Sequence, residues 1–237
     1  MKLSAPIFRL KRRARLLARE SDIPLHAALD RTARKEGFHA WSHLVASTSG
    51  HRPAHDMLAQ LGPGDLVLLG ARPGHGKTLI GLELAIAAVR TDRPAFFFTL
   101  EDNEGVVFDR LRMLGTGTKM LEDRLTVDTS DDICADHIID RIGHASTGAV
   151  AIIDYLQLLD QRRRHPELDV QIKALKAFAA ATGAIIVALS QIDRAFETTG
   201  RSIPGREDIR LPNPLDLSLF TKACFIHGGE ARLEKIA

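Results

Sequence analysis

Residues 67–78 read Val-Leu-Leu-Gly-Ala-Arg-Pro-Gly-His-Gly-Lys-Thr. The types and order suit the holding of a phosphate chain. An apolar run, Leu66 to Leu69, predicts a strand, Gly70 to Gly76 a tight loop, and the apolar-periodic stretch Leu79 to Val89 a helix. Glycines let a loop curl so that its amide N–H groups converge on phosphate oxygens at the helix N-terminus. Lys77 then reaches the β- and γ-phosphates and the Thr78 hydroxyl holds Mg²⁺. The pattern Gly-x-x-x-x-Gly-Lys-Ser/Thr is met in a variant form, with Ala71 first and Gly70 one residue earlier. The expected nucleotide-binding residues are Ala71, Arg72, Pro73, Gly74, His75, Gly76, Lys77 and Thr78.

Three other polar residues close apolar runs. Glu101 follows Phe-Phe-Phe-Thr-Leu, Asp154 follows Val-Ala-Ile-Ile, and Gln191 follows Ile-Val-Ala-Leu-Ser. Asp154 fits a carboxylate that positions Mg²⁺ alongside Thr78. Glu101 fits a general base that orients and activates a water. Gln191 fits a group that senses the γ-phosphate or that water. Acids and amides also end strands for purely structural reasons, so their weight lies in the combination. Together with Lys77 they describe in-line attack of water on a γ-phosphate. No Asn-Lys-x-Asp guanine motif follows the loop, which favours ATP over GTP.

The elements that must position these groups alternate. Strands are expected at 66–69, 96–100, 125–127, 149–153, 185–189 and 223–227. Helices are expected at 79–89, 106–113, 133–142 and 170–181, the last with Ile172, Leu175, Phe178 and Ala179 inward. After Gln191, glycines and prolines mark a long loop region, and Gly228-Gly229 turns the chain into 231–236. This alternation predicts an α/β fold with a mostly parallel sheet covered by helices on both faces, where ligands sit at the carboxyl ends of the strands.

In front lies a different segment. Helices are expected over 7–20, with Ile7, Phe8, Leu10, Ala14 and Leu17 inward, over 25–35, with Leu25, Ala28, Leu29 and Ala33 inward, and over 39–45, anchored by Trp41, Leu44 and Val45. Residues 46–53 read as a linker. The expected division is a small basic helical segment with its linker, 1–56, and an ATPase domain, 57–237. Residues 1–56 carry eleven Lys/Arg against five Asp/Glu, whereas the remainder carries 21 against 25. A DNA-binding module, an oligomerisation or protein-docking element, and a plain capping bundle all fit. His39 and His43 stand four apart with no further ligand in register, so surface histidines are expected. Cys134 and Cys224 lack zinc-ligand spacing. No apolar run has the length of a leader or a membrane span, and a cytoplasmic protein without a membrane segment is expected.

At this point the residues resemble the ATPase domain of DnaB-type replicative DNA helicases, among the RecA-like P-loop ATPases. Ala71-Arg72-Pro73 ahead of Gly76-Lys77-Thr78 is similar to their phosphate loop. Phe97-Phe98-Thr99-Leu100-Glu101 is similar to their strand ending in a catalytic glutamate. Ile152-Ile153-Asp154-Tyr155-Leu156-Gln157-Leu158 resembles their Walker B segment. Val187-Ala188-Leu189-Ser190-Gln191 resembles their sensor, and Asp208-Ile209-Arg210 a short motif after it. The likeness spans roughly residues 60–227 and implies a RecA-like core that uses ATP and Mg²⁺. It implies a homo-oligomer, in six-fold rings that move on single-stranded DNA, with an arginine supplied across each subunit interface. A DNA-contacting loop falls between Leu159 and Asp169 and contains Arg162, Arg163 and Arg164; a solvated charged loop is the other reading. The family's larger N-terminal helical domain has residues 1–56 in its place. Its C-terminal Lys-x-Arg has no clear counterpart, which leaves Arg194, Arg201, Arg206, Arg210 and Arg232 as candidates for the interface arginine. The leading expectation is ATP hydrolysis coupled to single-stranded DNA binding or translocation. The alternatives are a RecA/RadA- or KaiC-like ATPase that loads, remodels or signals without unwinding, and a nucleotide-gated scaffold.

Overall fold

A computed structural model describes residues 4–5, 7–41, 43–44, 53–72, 76–114, 121, 123–143, 148–160, 165–211, 213, 215–227 and 230–236. Helices α1 (Ile7–Glu20) and α2 (Leu25–Lys35) come first, then α3 (Pro53–Ala59). The sheet elements follow as β1 (Leu66–Ala71), α4 (Lys77–Arg90), β2 (Ala95–Thr99), α5 (Glu104–Met113), β3 (Leu125–Asp128), α6 (Ala135–Ile142), β4 (Val150–Asp154), α7 (Leu168–Thr182), β5 (Ile185–Gln191), β6 (Lys222–His227) and β7 (Glu230–Lys235).

The strands form one sheet in the order β3-β2-β4-β5-β1-β6-β7. All neighbours are parallel except the terminal β6–β7 hairpin. The central strands are buried along their whole length, which is why they read as unbroken apolar runs rather than as alternations. Period-two geometry still sorts the side chains. Val67, Leu69, Phe97, Ile152, Val187 and Leu189 share one core with α3 and α4. Leu66, Leu68, Phe96, Phe98, Ile153 and Ile186 share the other with α6 and α7, and Ile172, Leu175, Phe178 and Ala179 point inward as expected.

Helix α4 lies close on the sheet because residue 81 is glycine. A Cβ there would stand 2.9 Å from Leu189 Cδ1 and 3.1 Å from Ile152 Cγ2. Gly81→Val is therefore expected to destabilise the fold by about 1–3 kcal/mol through overpacking, read from the denaturant midpoint.

A polar clamp fixes the entry to β1. Asp65 accepts hydrogen bonds from Gly62 N–H (2.7 Å), the Thr221 hydroxyl (2.8 Å) and Lys222 Nζ (2.6 Å). Burial alone would raise the Asp65 carboxyl, but these donors outweigh it and hold its pKa below the ordinary value. A carboxyl depressed in the folded state stabilises the fold above its ordinary range and loses that contribution as pH falls through the folded value. Asp65→Asn is expected to cost about 1.5–3 kcal/mol near neutrality. The gap between variant and parent should close below about pH 4, as measured by urea unfolding across pH.

The N-terminal helices have a core of their own. Leu10, Ala14, Ala28, Leu29, Ala33, Phe38, Trp41 and Leu44 pack together, with Leu17 against them. Trp41, His43 and Leu44 are helical. Leu25, expected inward, is instead 43% exposed: it is the first residue of α2, which reaches the bundle core only at Ala28. The side chains of Ile7 and Phe8, and residue Val45, lie outside the described residues. The His39 and His43 rings stack at 6.3 Å, and no group of three metal-ligating side chains occurs among the described residues. Helix α3 has no counterpart in the sequence reading. Its seven residues include Pro53, and it straddles the expected boundary at residue 56, burying Ala54, Met57 and Leu58 in the sheet's core. Among the described residues, no helix is long and apolar enough to cross a membrane.

Candidate functional site

Parallel register brings the polar strand ends to one edge. Thr99 pairs with Asp154, Asp154 with Leu189, and Ala71 with Gln191. Residues distant in sequence thus meet along a single row, outside the carboxyl ends of β2, β4, β5 and β1.

The loop after β1 delivers Lys77 into that row. Gly76 has φ +84°, a left-handed conformation natural to glycine, and α4 begins at the next residue. Among the described residues no side chain caps this helix, so its first-turn N–H groups and the positive end of its dipole are offered to an anion. Pro73, Gly74 and His75 lie outside the described residues. Arg72 is buried and donates from Nη1 to the Ile192 carbonyl at 3.2 Å, which ties the loop's start to the end of β5.

The Lys77 ammonium is nearly buried. It donates to Asp154 Oδ1, stands 3.6 Å from Glu101 Oε2, and sits over the Tyr155 ring at 4.3 Å from its centroid. Asp154 is fully buried, and its Oδ2 has no hydrogen-bond partner among the described residues. Such an oxygen fits a ligand that is a cation, since a buried carboxylate oxygen otherwise goes unsatisfied. Thr78, also buried, is the second residue of α4. Lys77 and the helix N-terminus thus fit a phosphate, and Thr78 with Asp154 fits Mg²⁺.

Glu101 follows a turn in which its own N–H donates to the Thr99 hydroxyl at 3.1 Å. Its side chain is 36% exposed, so water reaches it. Desolvation raises its pKa above the ordinary value. The nearby Lys77 charge opposes this, and the Asp154 charge adds to it. The result is a more basic carboxylate, the direction that suits a proton acceptor.

Gln191 is held by its backbone. Its carbonyl accepts the Arg210 N–H at 2.8 Å, Asp193 N–H donates to the Asp208 carbonyl at 2.7 Å, and Ile192 bridges Ile209. The segment 208–210 thus extends the end of β5. Gln157 spans the same elements, donating from Nε2 to Ser190 Oγ (3.2 Å) and to the Arg210 carbonyl (2.6 Å). The Asp208 carboxylate accepts from Arg201 Nη2 at 2.6 Å and from Gly205 N–H at 2.8 Å. Tyr155, Gln157 and Ser190 carry no role in the sequence reading, although Tyr155 and Ser190 adjoin residues that do and Gln157 stands three residues after Asp154. A position close to Asp154 or Gln191 was the available signal.

Three of the five candidate interface arginines are occupied within the chain. Arg201 pairs with Glu207 and Asp208. Arg206 approaches Glu234 at 3.4 Å, and Arg232 donates to the Pro204 carbonyl at 3.2 Å. Arg194 and Arg210 are exposed and make no ion pair among the described residues, and the Arg210 charge acts on Tyr155. Arg162, Arg163 and Arg164 lie outside the described residues.

Known proteins resemble this chain over part of its length. Residues 116–213, which include Asp154, Gln157, Gln191 and Asp208, match the family model described as "DnaB-like helicase C terminal domain". The replicative DNA helicase DnaB of Helicobacter pylori strain J99 is 29% identical over 211 residues, covering 73% of this chain and 43% of that protein. The DnaB of Leifsonia xyli is 25% identical over 203 residues, covering 73% and 44%. A solved DnaB-like replicative helicase, described with its interactions with primase, superposes with a TM-score of 0.57 at 18% identity, covering 69% of this chain and 47% of that chain. This chain is thus similar to DnaB-type helicases over part of its length, and its fold is similar to that of a DnaB-like helicase. The DnaB-like region of this chain spans under half the length of the curated relatives it matches.

Proposed function

We propose that this chain is a Mg²⁺-dependent ATPase whose turnover is coupled to binding or moving along single-stranded DNA, acting as a homo-oligomer that includes a six-fold ring. The convergence of Lys77, Asp154 and Glu101 at one sheet edge, with Gln191 one strand from Asp154, carries the reading. Lys77 Nζ and the first N–H groups of α4 bind the phosphates. Thr78 and Asp154 would hold Mg²⁺, which would supply charge neutralisation to the phosphates. Glu101 takes the proton from the attacking water, and Gln191 orients that water or the γ-phosphate. The relatives named replicative DNA helicases support DNA as the partner. Arg162, Arg163 and Arg164 supply phosphate contacts without reading bases. Arg194 and Arg210 are the best-placed interface arginines, because neither is engaged in an internal ion pair among the described residues. Division at residue 56 leaves the bundle as an appendage to the ATPase domain.

ATP turnover of the purified protein, with and without single-stranded DNA, tests the reading. A several-fold rise with DNA is expected. Turnover indifferent to DNA would overturn the coupling and favour a KaiC-like ATPase acting on a protein. No turnover in any oligomeric state would overturn the enzymatic reading in favour of a nucleotide-gated scaffold.

A further inference from the structure

We infer that the outer face of α1 is a second nucleic-acid site, separate from the ATPase core, that grips the phosphate backbone of duplex DNA without reading sequence.

The placement follows from helical period. Leu10, Ala14 and Leu17 turn one face of α1 into the bundle. At 3.6 residues per turn the opposite arc carries Arg12, Arg15 and Arg19 with Arg9 towards its border, all exposed, together with exposed Leu16, while Arg13 flanks the buried face. Among the described residues, Arg12, Arg15 and Arg19 make no ion pair. The bundle's acids do not offset them. Residues 7–44 hold nine Lys/Arg and four Asp/Glu. Two of those four acids are engaged in structure: Asp30 accepts Trp41 N–H at 2.9 Å, and Glu36 accepts Ser4 N–H at 2.7 Å. Arg31, Arg34 and Lys35 on α2 add exposed charge nearby. The bundle has its own buried core, so this face is not needed for folding.

The chemistry selects the partner. The cations at the centre of the outward arc of α1, Arg12, Arg15 and Arg19, are all arginine, whose planar fork pairs with phosphate through two parallel hydrogen bonds. From Arg12 to Arg19 the row runs about 10 Å, close to three phosphates of one strand along a duplex axis. A rigid row of this kind matches the regular phosphates beside a groove that admits a helix. Single strands are instead held by exposed aromatic rings that stack unpaired bases. The bundle's described Phe and Trp rings, Phe38 and Trp41, are buried, and its exposed rings are the imidazoles of His26 and His39.

The test is fluorescence anisotropy of a labelled 20-base-pair duplex with the 237-residue chain in the absence of nucleotide. Failure of the ATPase reading therefore leaves this result untouched. The triple variant Arg12→Gln, Arg15→Gln, Arg19→Gln is expected to weaken binding at least tenfold at about 0.1 M salt. It should also flatten the slope of log affinity against log salt by about 2–3. The corresponding triple Lys variant should keep the parent's slope. Arg90→Gln with Arg112→Gln, on the ATPase core, should change nothing, and circular dichroism should show all variants folded. An unchanged slope in the Gln variant overturns the inference. A Gln variant that loses single-strand affinity as steeply as duplex affinity also overturns the assignment to duplex. So does a Gln variant that binds DNA normally but loses self-association, which would make this face a protein dock.

Discussion

Lys77→Ala is expected to abolish measurable ATP turnover, a loss of at least about 10²–10³-fold, and to weaken nucleotide binding. The lysine does two things that the variant removes together. Its ammonium is the one described cation placed beside both Asp154 and Glu101, so no other side chain there neutralises a triphosphate. It also compensates Asp154, which is fully buried. Deleting one partner of a buried pair leaves an uncompensated charge, at a cost of about 3–5 kcal/mol. The variant should therefore also unfold at lower denaturant. The two effects separate in Lys77→Met combined with Asp154→Asn. That pair should recover much of the stability, since no isolated charge remains, and none of the activity. Recovery of turnover in the double variant would show that Lys77 acts through structure alone.

Glu101→Gln is expected to lower turnover about 10²–10⁴-fold, the range for removal of a positioned general base, while ATP binding is retained. The contrast with Lys77→Ala follows from burial. Glu101 is a third exposed and reaches Lys77 only at 3.6 Å, so its amide replacement leaves the Lys77–Asp154 pair in place. Its loss should appear in kcat with little change in KM, because water activation is needed only after the phosphates are bound. Stability should change little, since Glu101 is partly solvated and its pKa is pushed up by desolvation rather than held down by partners.

The core of this fold was legible because its determinants are local. Buried parallel strands must be apolar throughout, so the runs 66–69, 149–153 and 185–189 announce themselves, and the strands run on to Ala71, Asp154 and Gln191. The meeting of Lys77, Glu101 and Asp154, with Gln191 at the end of the neighbouring strand, was legible for the same reason: parallel strands place all their carboxyl ends on one side. What stayed hidden depends on tertiary contacts. Helix α3 is short and opens on Pro53, and only packing of Ala54, Met57 and Leu58 against the sheet's core makes it a helix. The strand-like pairing of 208–210 with the end of β5 uses backbone bonds to Gln191 and Asp193, which leave no pattern in the side chains. Gln157 reads as one more polar residue after Walker B until the fold brings Ser190 and the Arg210 carbonyl to it. The exposure of Leu25 reflects where the bundle core ends, which helical period alone does not mark.

The central claim is that these residues form one hydrolytic site, and the identity of the nucleotide held by Glu101→Gln tests it most directly. Protein mixed with Mg²⁺ and ATP would be separated from free nucleotide, quenched, and its bound nucleotide resolved chromatographically. The parent should hold mostly ADP, Glu101→Gln mostly uncleaved ATP, and Lys77→Ala little of either. Conversion of bound ATP to ADP by Glu101→Gln at the parent's rate would contradict the account, because the base would then lie elsewhere.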